Sequence, residues 1–229
     1  MSNNFNYWQT QYSNIAPNNN NPYDQAGLKH NLLMATIEQR GSHDMSTSQV
    51  FEIVDGVIEE NYGSDIQNFS SQTFASPILS FQTRLEMENY VNSLNINYES
   101  KQKLLTLADI LLSYDVDNLL TVITQIVDFE NILINEFDRE RNIYEPVLIA
   151  SSIGRYSLCY WHERLLSNKI QDNRAPFWKK FFVALADVIG GAGGAVAGSA
   201  TVVGGIAGGV TGAISSSVAF AKLWDIFAE

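Results

Sequence analysis

Apolar positions fall at helical spacing in one segment of this chain after another. In NPYDQAGLKHNLLMATIEQ, Leu28, Leu32 and Ala35 with Leu33 and Ile37 make a stripe at helical period. Asn21 is a good N-cap, Pro22 suits a first helical position, and Asp24 falls in the first turn, where the helix dipole favours an anion. Gly41 closes this helix. A second begins near Ser46, with Val50, Ile53, Val54, Val57 and Ile58 on one face, Glu52, Asp55, Glu59 and Glu60 elsewhere, and Gly63 at its end. Residues 64–80 have no period and read as a long connection, with Phe69, Phe74 and Ile78 laid on the core. Three helical segments follow, at about 82–94, 98–114 and 116–137. The last carries Leu119, Val122, Ile123, Ile126, Val127, Phe129, Leu133 and Phe137 opposite scattered acids, the pattern of a bundle helix. Pro146 opens another, running through ASSIGRYSLCYWHERLL to about Ser167. No alternating strand pattern bounded by hairpin turns occurs. The pattern predicts an all-α bundle of six or seven helices.

The C-terminal pattern is of another kind. From Val188 to Ala221 thirty-four residues pass without a charge, and ten of them are Gly and eight Ala. Gly190, Gly194 and Gly198 stand four apart, as do Gly204, Gly208 and Gly212, with Ser199 to Val203 between the two sets. Spacing of four places each set on one helix face, where missing side chains admit a second backbone. Glycine weakens an isolated helix, so something must pack against the run. One straight helix would be about 51 Å long, beyond a hydrocarbon core of roughly 30 Å. Folded at Ser199–Val203, each arm has about fifteen residues and is roughly 22 Å long, and Gly and Ala contribute little transfer energy. A permanent membrane anchor is therefore disfavoured. The flanks pull the other way. Phe177, Trp178, Lys179, Lys180, Phe181 and Phe182 precede the run, and Phe220, Lys222 and Trp224 follow it. In a hairpin these aromatic–lysine feet share one end, as membrane-interface anchors do. They also suit the sealing of a soluble core, and an intermolecular glycine zipper is a third use of the same face.

Charge divides the chain similarly. The net charge is −11, with seven basic and five acidic residues from Arg155 onward against seven basic and twenty acidic before it. An acidic body argues against nucleic acid as a partner, because such binding needs a basic face. A mildly basic, glycine-rich end suits an anionic membrane surface or simple exclusion of charge from a buried segment. Residues 1–21, rich in Asn and Gln and carrying Phe5, Tyr7, Trp8 and Tyr12, read as a disordered arm with aromatic anchors. The resulting division is an arm at 1–21, an acidic helical bundle at 22–168, and a glycine-zipper hairpin at 175–229 packed on it.

Candidate chemistry is sparse. Cys159, the one cysteine, lies in an apolar run and reads as a buried thiol. His30, His43 and His162 are spaced too unevenly for a local metal site, and no cofactor fingerprint, P-loop or nucleophile elbow occurs. One polar cluster stands out: Asp24, Gly27, His30 and Asn31, on adjoining positions of the first helix. Asp, His and Asn together suit a small polar ligand or acid–base work. The structural alternative makes Asp24 a helix-cap carboxylate, Gly27 the site of a close helix approach, and His30–Asn31 hydrogen-bonding partners of an adjacent loop.

NPYDQAGLKHN resembles the N-P-[YF]-D-x-x-G-x-x-H-N opening motif of a group of uncharacterised bacterial α-helical proteins. That group is similar in order too, with a Ser-rich helix ending in Tyr/Trp and then a glycine-rich C-terminal segment. The resemblance implies an all-α fold and a bacterial source, and brings no activity with it; Asp24, Gly27, His30 and Asn31 are the matching site positions. The functional expectation is a non-enzymatic protein whose hairpin conditionally engages a membrane or another glycine-rich helix, in the manner of effectors that enter membranes. The alternative is a cytoplasmic adaptor or scaffold, docking a protein partner through the arm or the acidic face. The N-terminus carries no signal-peptide pattern, so the expectation is cytoplasmic synthesis, with membrane association or delivery by a signal-peptide-independent machine left open.

Overall fold

The computed structural model of the chain describes residues 14–42, 45–63, 70–71, 83–137, 143–166, 177–198 and 202–223. Among these the protein is all-helical. The helices are α1 (Gln25–Arg40), α2 (Thr47–Tyr62), α3 (Arg84–Ser93), α4 (Tyr98–Leu112), α5 (Leu119–Phe137), α6 (Glu145–Leu166), α7 (Phe177–Gly198) and α8 (Val202–Leu223), with a 3₁₀ turn at Val116–Asn118 before α5. Their starts follow side-chain chemistry. Ser46 and Gln49 form a capping box on α2, Thr83 and Glu86 form one on α3, and the Asn97 side chain accepts from Ser100 N at α4. Gly63, at φ 47°, ends α2 in a conformation that favours glycine.

α1 begins later than its sequence predicts. Asn21 is not its N-cap, because the Asn21 side chain is occupied elsewhere: its carbonyl oxygen accepts from Tyr23 N and its amide reaches into the core. Residues 22–24 form turns, and Asp24 takes the cap position without a capping bond from its side chain. The arm expected over residues 1–21 also ends differently. Ala16, Asn18 and Asn21 are buried against the body, while residues 1–13 lie outside the described residues. The same holds for His43, for Phe69, Phe74 and Ile78 of the connection, and for the boundary expected between 168 and 175.

α7 and α8 run antiparallel and sit deep in the bundle. Gly190 opposes Gly212, Gly194 opposes Gly208, and Gly198 opposes Gly204. A Cβ on Gly190, Gly194, Gly198, Gly208 or Gly212 would come within 3.0 Å of atoms of the facing helix, so the two backbones touch where side chains would otherwise hold them apart. Each helix has 22 residues and is therefore about 33 Å long, not the roughly 22 Å expected, because the helices extend through the aromatic–lysine flanks. The backbone of Phe177–Phe182, Phe220 and Lys222 is helical; their side chains, and Trp224 altogether, lie outside the described residues.

Around this pair, α6 packs along α7, with Ile153 against Gly191 and Gly154 against Val188. α1 and α2 cover α8, and Tyr90 of α3 meets Gly193. α5 backs α6 with Val122, Ile126, Phe129 and Leu133 turned inward, the face its apolar spacing predicts. One buried apolar cluster runs from Ala16 to Val218, so the acidic helices and the glycine pair share a single core.

Candidate functional site

The segment from Asn18 to Asn31 and the serine-rich part of α6 are two halves of one buried polar contact. Its first centre is Glu130 of α5, which has no exposed surface. Its Oε2 accepts from Asn18 Nδ2 at 2.7 Å; its Oε1 accepts from Asn21 Nδ2 at 2.9 Å, Ser151 Oγ at 2.7 Å and Arg155 Nε at 3.1 Å. Arg155, also 0% exposed, continues to Asp24, its Nη2 lying 2.6 Å from Oδ1. The other Asp24 oxygen accepts from Tyr156 OH at 3.0 Å, and Oδ1 also accepts from Asn18 N. Burial works against the Arg155 charge, but Glu130 and Asp24 overcome it and hold the guanidinium pKa above its ordinary value. Burial and the Asp24 carboxylate push the Tyr156 phenol up as well. Asp24 is thus an ion-pair partner rather than a capping carboxylate.

Gly27 performs the close approach expected of it. Its N–H donates to Ser152 Oγ at 3.0 Å, and Ser152 Oγ donates to Asp24 O at 2.9 Å. A Cβ at Gly27 would run into Tyr156 and the Ser152 backbone at under 3.0 Å.

The second centre is Asp187 of α7, which the sequence shows only as the last charge before the glycine run. It is fully buried and lies 3.5 Å from His30 Nε2 of α1. The proton positions follow from the hydrogen bonds. Asn31 Nδ2 donates to Tyr156 O at 2.8 Å, which fixes Asn31 Oδ1 as the acceptor facing His30 Nδ1 at 3.0 Å. Nδ1 therefore carries a proton, and the gap between His30 Nε2 and Asp187 is left to share one more. Ser157 Oγ donates a short hydrogen bond to Asp187 Oδ2, and Trp161 Nε1 reaches the same oxygen at 3.4 Å. Burial drives the Asp187 carboxyl pKa up, while His30, Ser157, Ser217 and Trp161 pull it back. His30–Asn31 therefore bond to helices α6 and α7, not to a loop.

The structure divides the sequence cluster in two: Asp24 pairs with Arg155 and Tyr156, and His30 pairs with Asn31 and Asp187. The His30–Asp24 couple that an acid–base role needs is not formed. Elsewhere, His162 Nδ1 meets Tyr114 OH at 2.6 Å and burial lowers its pKa, while burial pushes the Cys159 thiol up to about 12. Among the described residues no group of three or more His, Cys, Asp or Glu side chains is placed to hold a metal ion. Glu130, Arg155 and Asp187 escape sequence reasoning because their partners lie more than twenty residues away. The one local hint is that four polar residues, Ser151, Ser152, Arg155 and Ser157, interrupt the apolar stretch from Val147 to Trp161.

The arrangement is a helix-fastening site. It joins the start of α1 to α5, α6 and α7 through two buried ionisable clusters, and His30, Glu130, Arg155 and Asp187 present no surface to solvent. Compared with protein families, with characterised proteins and with solved structures, the chain matches none.

Proposed function

We propose that this is a non-enzymatic helical protein that stores a glycine-faced helix pair, α7–α8, inside its bundle and releases it to engage a membrane or another glycine-rich helix. The observation that carries the reading is the seam itself. Three pairs of glycines bring two backbones together, leaving a face that any second small-residue helix can occupy equally well.

Two further features support it. Counted with their aromatic–lysine feet, α7 and α8 are about 33 Å each; the stretches inside the feet, 183–198 and 202–219, are about 24 and 27 Å, a shortfall against a hydrocarbon core of roughly 30 Å that bilayer thinning accommodates at modest cost. Their antiparallel course puts residues 177–182 and 220–222, the aromatic–lysine feet, at the same end of the pair. Apolarity works in the other direction: among the described residues no single helix is both long and apolar enough to cross a membrane. Engagement is therefore as a pair, in which Asp187, Thr211, Ser215, Ser216 and Ser217, all buried in the bundle, stay shielded against protein rather than lipid.

Flotation of the full chain with phosphatidylcholine–phosphatidylglycerol vesicles, at neutral and at acidic pH, tests the membrane version. A fraction that rises with the vesicles in at least one condition is expected. A chain that stays at the bottom in both ends that version.

A further inference from the structure

We propose that residues 14–24 are a strap, and that lifting this strap, rather than general unfolding, frees α1 and uncovers the α7–α8 pair. The inference names the regulation of the release described above, and its membrane consequence rests on that reading; the opening itself does not.

The strap is the one non-helical segment among the described residues that satisfies fully buried charges. Asn18 and Asn21 give their side-chain amides to the two oxygens of Glu130, Asn21 also donates to Leu148 O at 3.0 Å, and Asp24 completes the Arg155 ion pair. At the rim, Asn20 Nδ2 donates to Asn131 Oδ1 at 3.2 Å. These bonds are polar, so water takes the place of each once the strap lifts, whereas losing one with the strap still seated strands a buried charge. Its apolar anchoring is slight: Ala16 and Tyr23 are buried and Ile15 is partly so. α1 by contrast buries Ala26, Leu33, Met34 and Ile37. Polar, irregular and thinly packed, the strap belongs at the weakly held end of the molecule.

Its release has a direction. Asp24 is the last strap residue and α1 starts at the next one, so withdrawing Asp24 from Arg155 pulls on the first turn of α1. The next attachments along that helix are Gly27 on Ser152, His30 on Asp187 and Asn31 on Tyr156. α1 packs on both α6 and α8. When it swings away, Asp187 loses the imidazole beside it and α8 loses a wall. Meanwhile Glu130 loses two amide donors, and Arg155, whose Nη1 has no hydrogen-bond partner even in the closed state, is opened to water. Strap and α1 are thus one element with two arrangements, coupled to the glycine pair through His30–Asp187.

The test is hydrogen exchange on the full chain carrying Asn18→Ala with Asn21→Ala, read beside Leu107→Ala, which weakens the α4 core instead. The strap variant is expected to exchange at least about tenfold faster in α1, α7 and α8 while α4 and α5 keep their parent rates. Cys159 shares the α6 face of Ser152 and Arg155, so alkylation of this single thiol should quicken by a similar factor. Uniform acceleration resembling that of Leu107→Ala, or no acceleration, overturns the strap. If the double variant does not fold, Asn18→Ala alone and the unmodified chain serve: residues 14–24 and α1 must open before α4 and α5, and the reverse order overturns the proposal. Flotation of the same variants with phosphatidylcholine–phosphatidylglycerol vesicles separates the two ideas. Selective opening without any gain in vesicle binding leaves the strap standing and removes the membrane reading. A gain in binding with uniform exchange does the opposite.

Discussion

The glycine seam of α7–α8 and the polar contact between α1, α5, α6 and α7 both bring helices unusually close, by opposite means. In the seam side chains are absent and backbones touch, so the constraint is steric: no added atom fits. In the polar contact Glu130, Arg155, His30 and Asp187 are buried at 0% exposure and the amides of Asn18, Asn21 and Asn31 are nearly so; the constraint is one of partners, because a donor or acceptor removed leaves another stranded. The seam tolerates no addition and the polar contact tolerates no subtraction. Substitutions that respect this difference should behave differently in kind as well as in size.

The largest effect is expected at Glu130. Glu130→Ala strands Arg155, Asn18, Asn21 and Ser151 together, and should cost about 3–5 kcal/mol in urea unfolding. A loss below 1 kcal/mol would mean that the buried pair is not what fastens α5 to α6. Next comes the seam. Gly194→Ala puts a methyl against the Gly208 carbonyl and should cost about 3 kcal/mol, whereas Gly193→Ala meets side chains only, the hydroxyl end of Tyr90 and, at ordinary contact distance, Leu94, and should cost under about 1 kcal/mol. Equal losses at these neighbouring positions would abolish the steric account.

Asp187 joins the two regions and supplies a pH dependence. Its folded pKa lies above the ordinary aspartate value of 3.8, chiefly through burial. The folded chain therefore takes up this proton at a higher pH than the unfolded chain does. The resulting stabilisation is full below 3.8 and is lost as pH rises through the folded value. Relative to Asp187→Asn, the parent should gain stability as pH falls from neutral toward 4, by at most about 1.4 kcal/mol per pH unit. A flat or reversed difference in a pH series of urea midpoints would contradict the burial of an ionisable Asp187. The smallest effect is expected at Gly56, inside α2, where an added Cβ meets nothing within 4 Å. Gly56→Ala should stabilise by about 0.5–1 kcal/mol, marking by contrast how much of the seam's cost is steric.

The two regions also differ in how far they can be read from the chain alone. Glycines four apart announce a close helix face because the spacing is local, and a lone glycine inside a helix, as at Gly27, announces one because it costs helix stability without another use. The helices from α2 to α6 were legible because a bundle face repeats every three or four residues. The polar contact has no period. Asn18 lies 112 residues from Glu130, and Asp24 lies 131 from Arg155, so nothing in either neighbourhood predicts the other. That is why Asn21 reads as a helix cap when it is a core amide. It is also why Asp24 and His30, which the sequence places on one helix, read as one site when they serve two. The glycine arms are longer than the uncharged run suggests, because the helices continue through the charged and aromatic flanks.

If α7–α8 is stored in the bundle and leaves it as a pair, hydrogen exchange of the unmodified full chain should respond to phosphatidylcholine–phosphatidylglycerol vesicles. Vesicles should speed exchange in α1 and α2, which lose their place against α8, while α7 and α8 stay protected against each other. An exchange pattern unchanged by vesicles under every pH tried, or one in which α7 and α8 lose protection together with the rest, would contradict it.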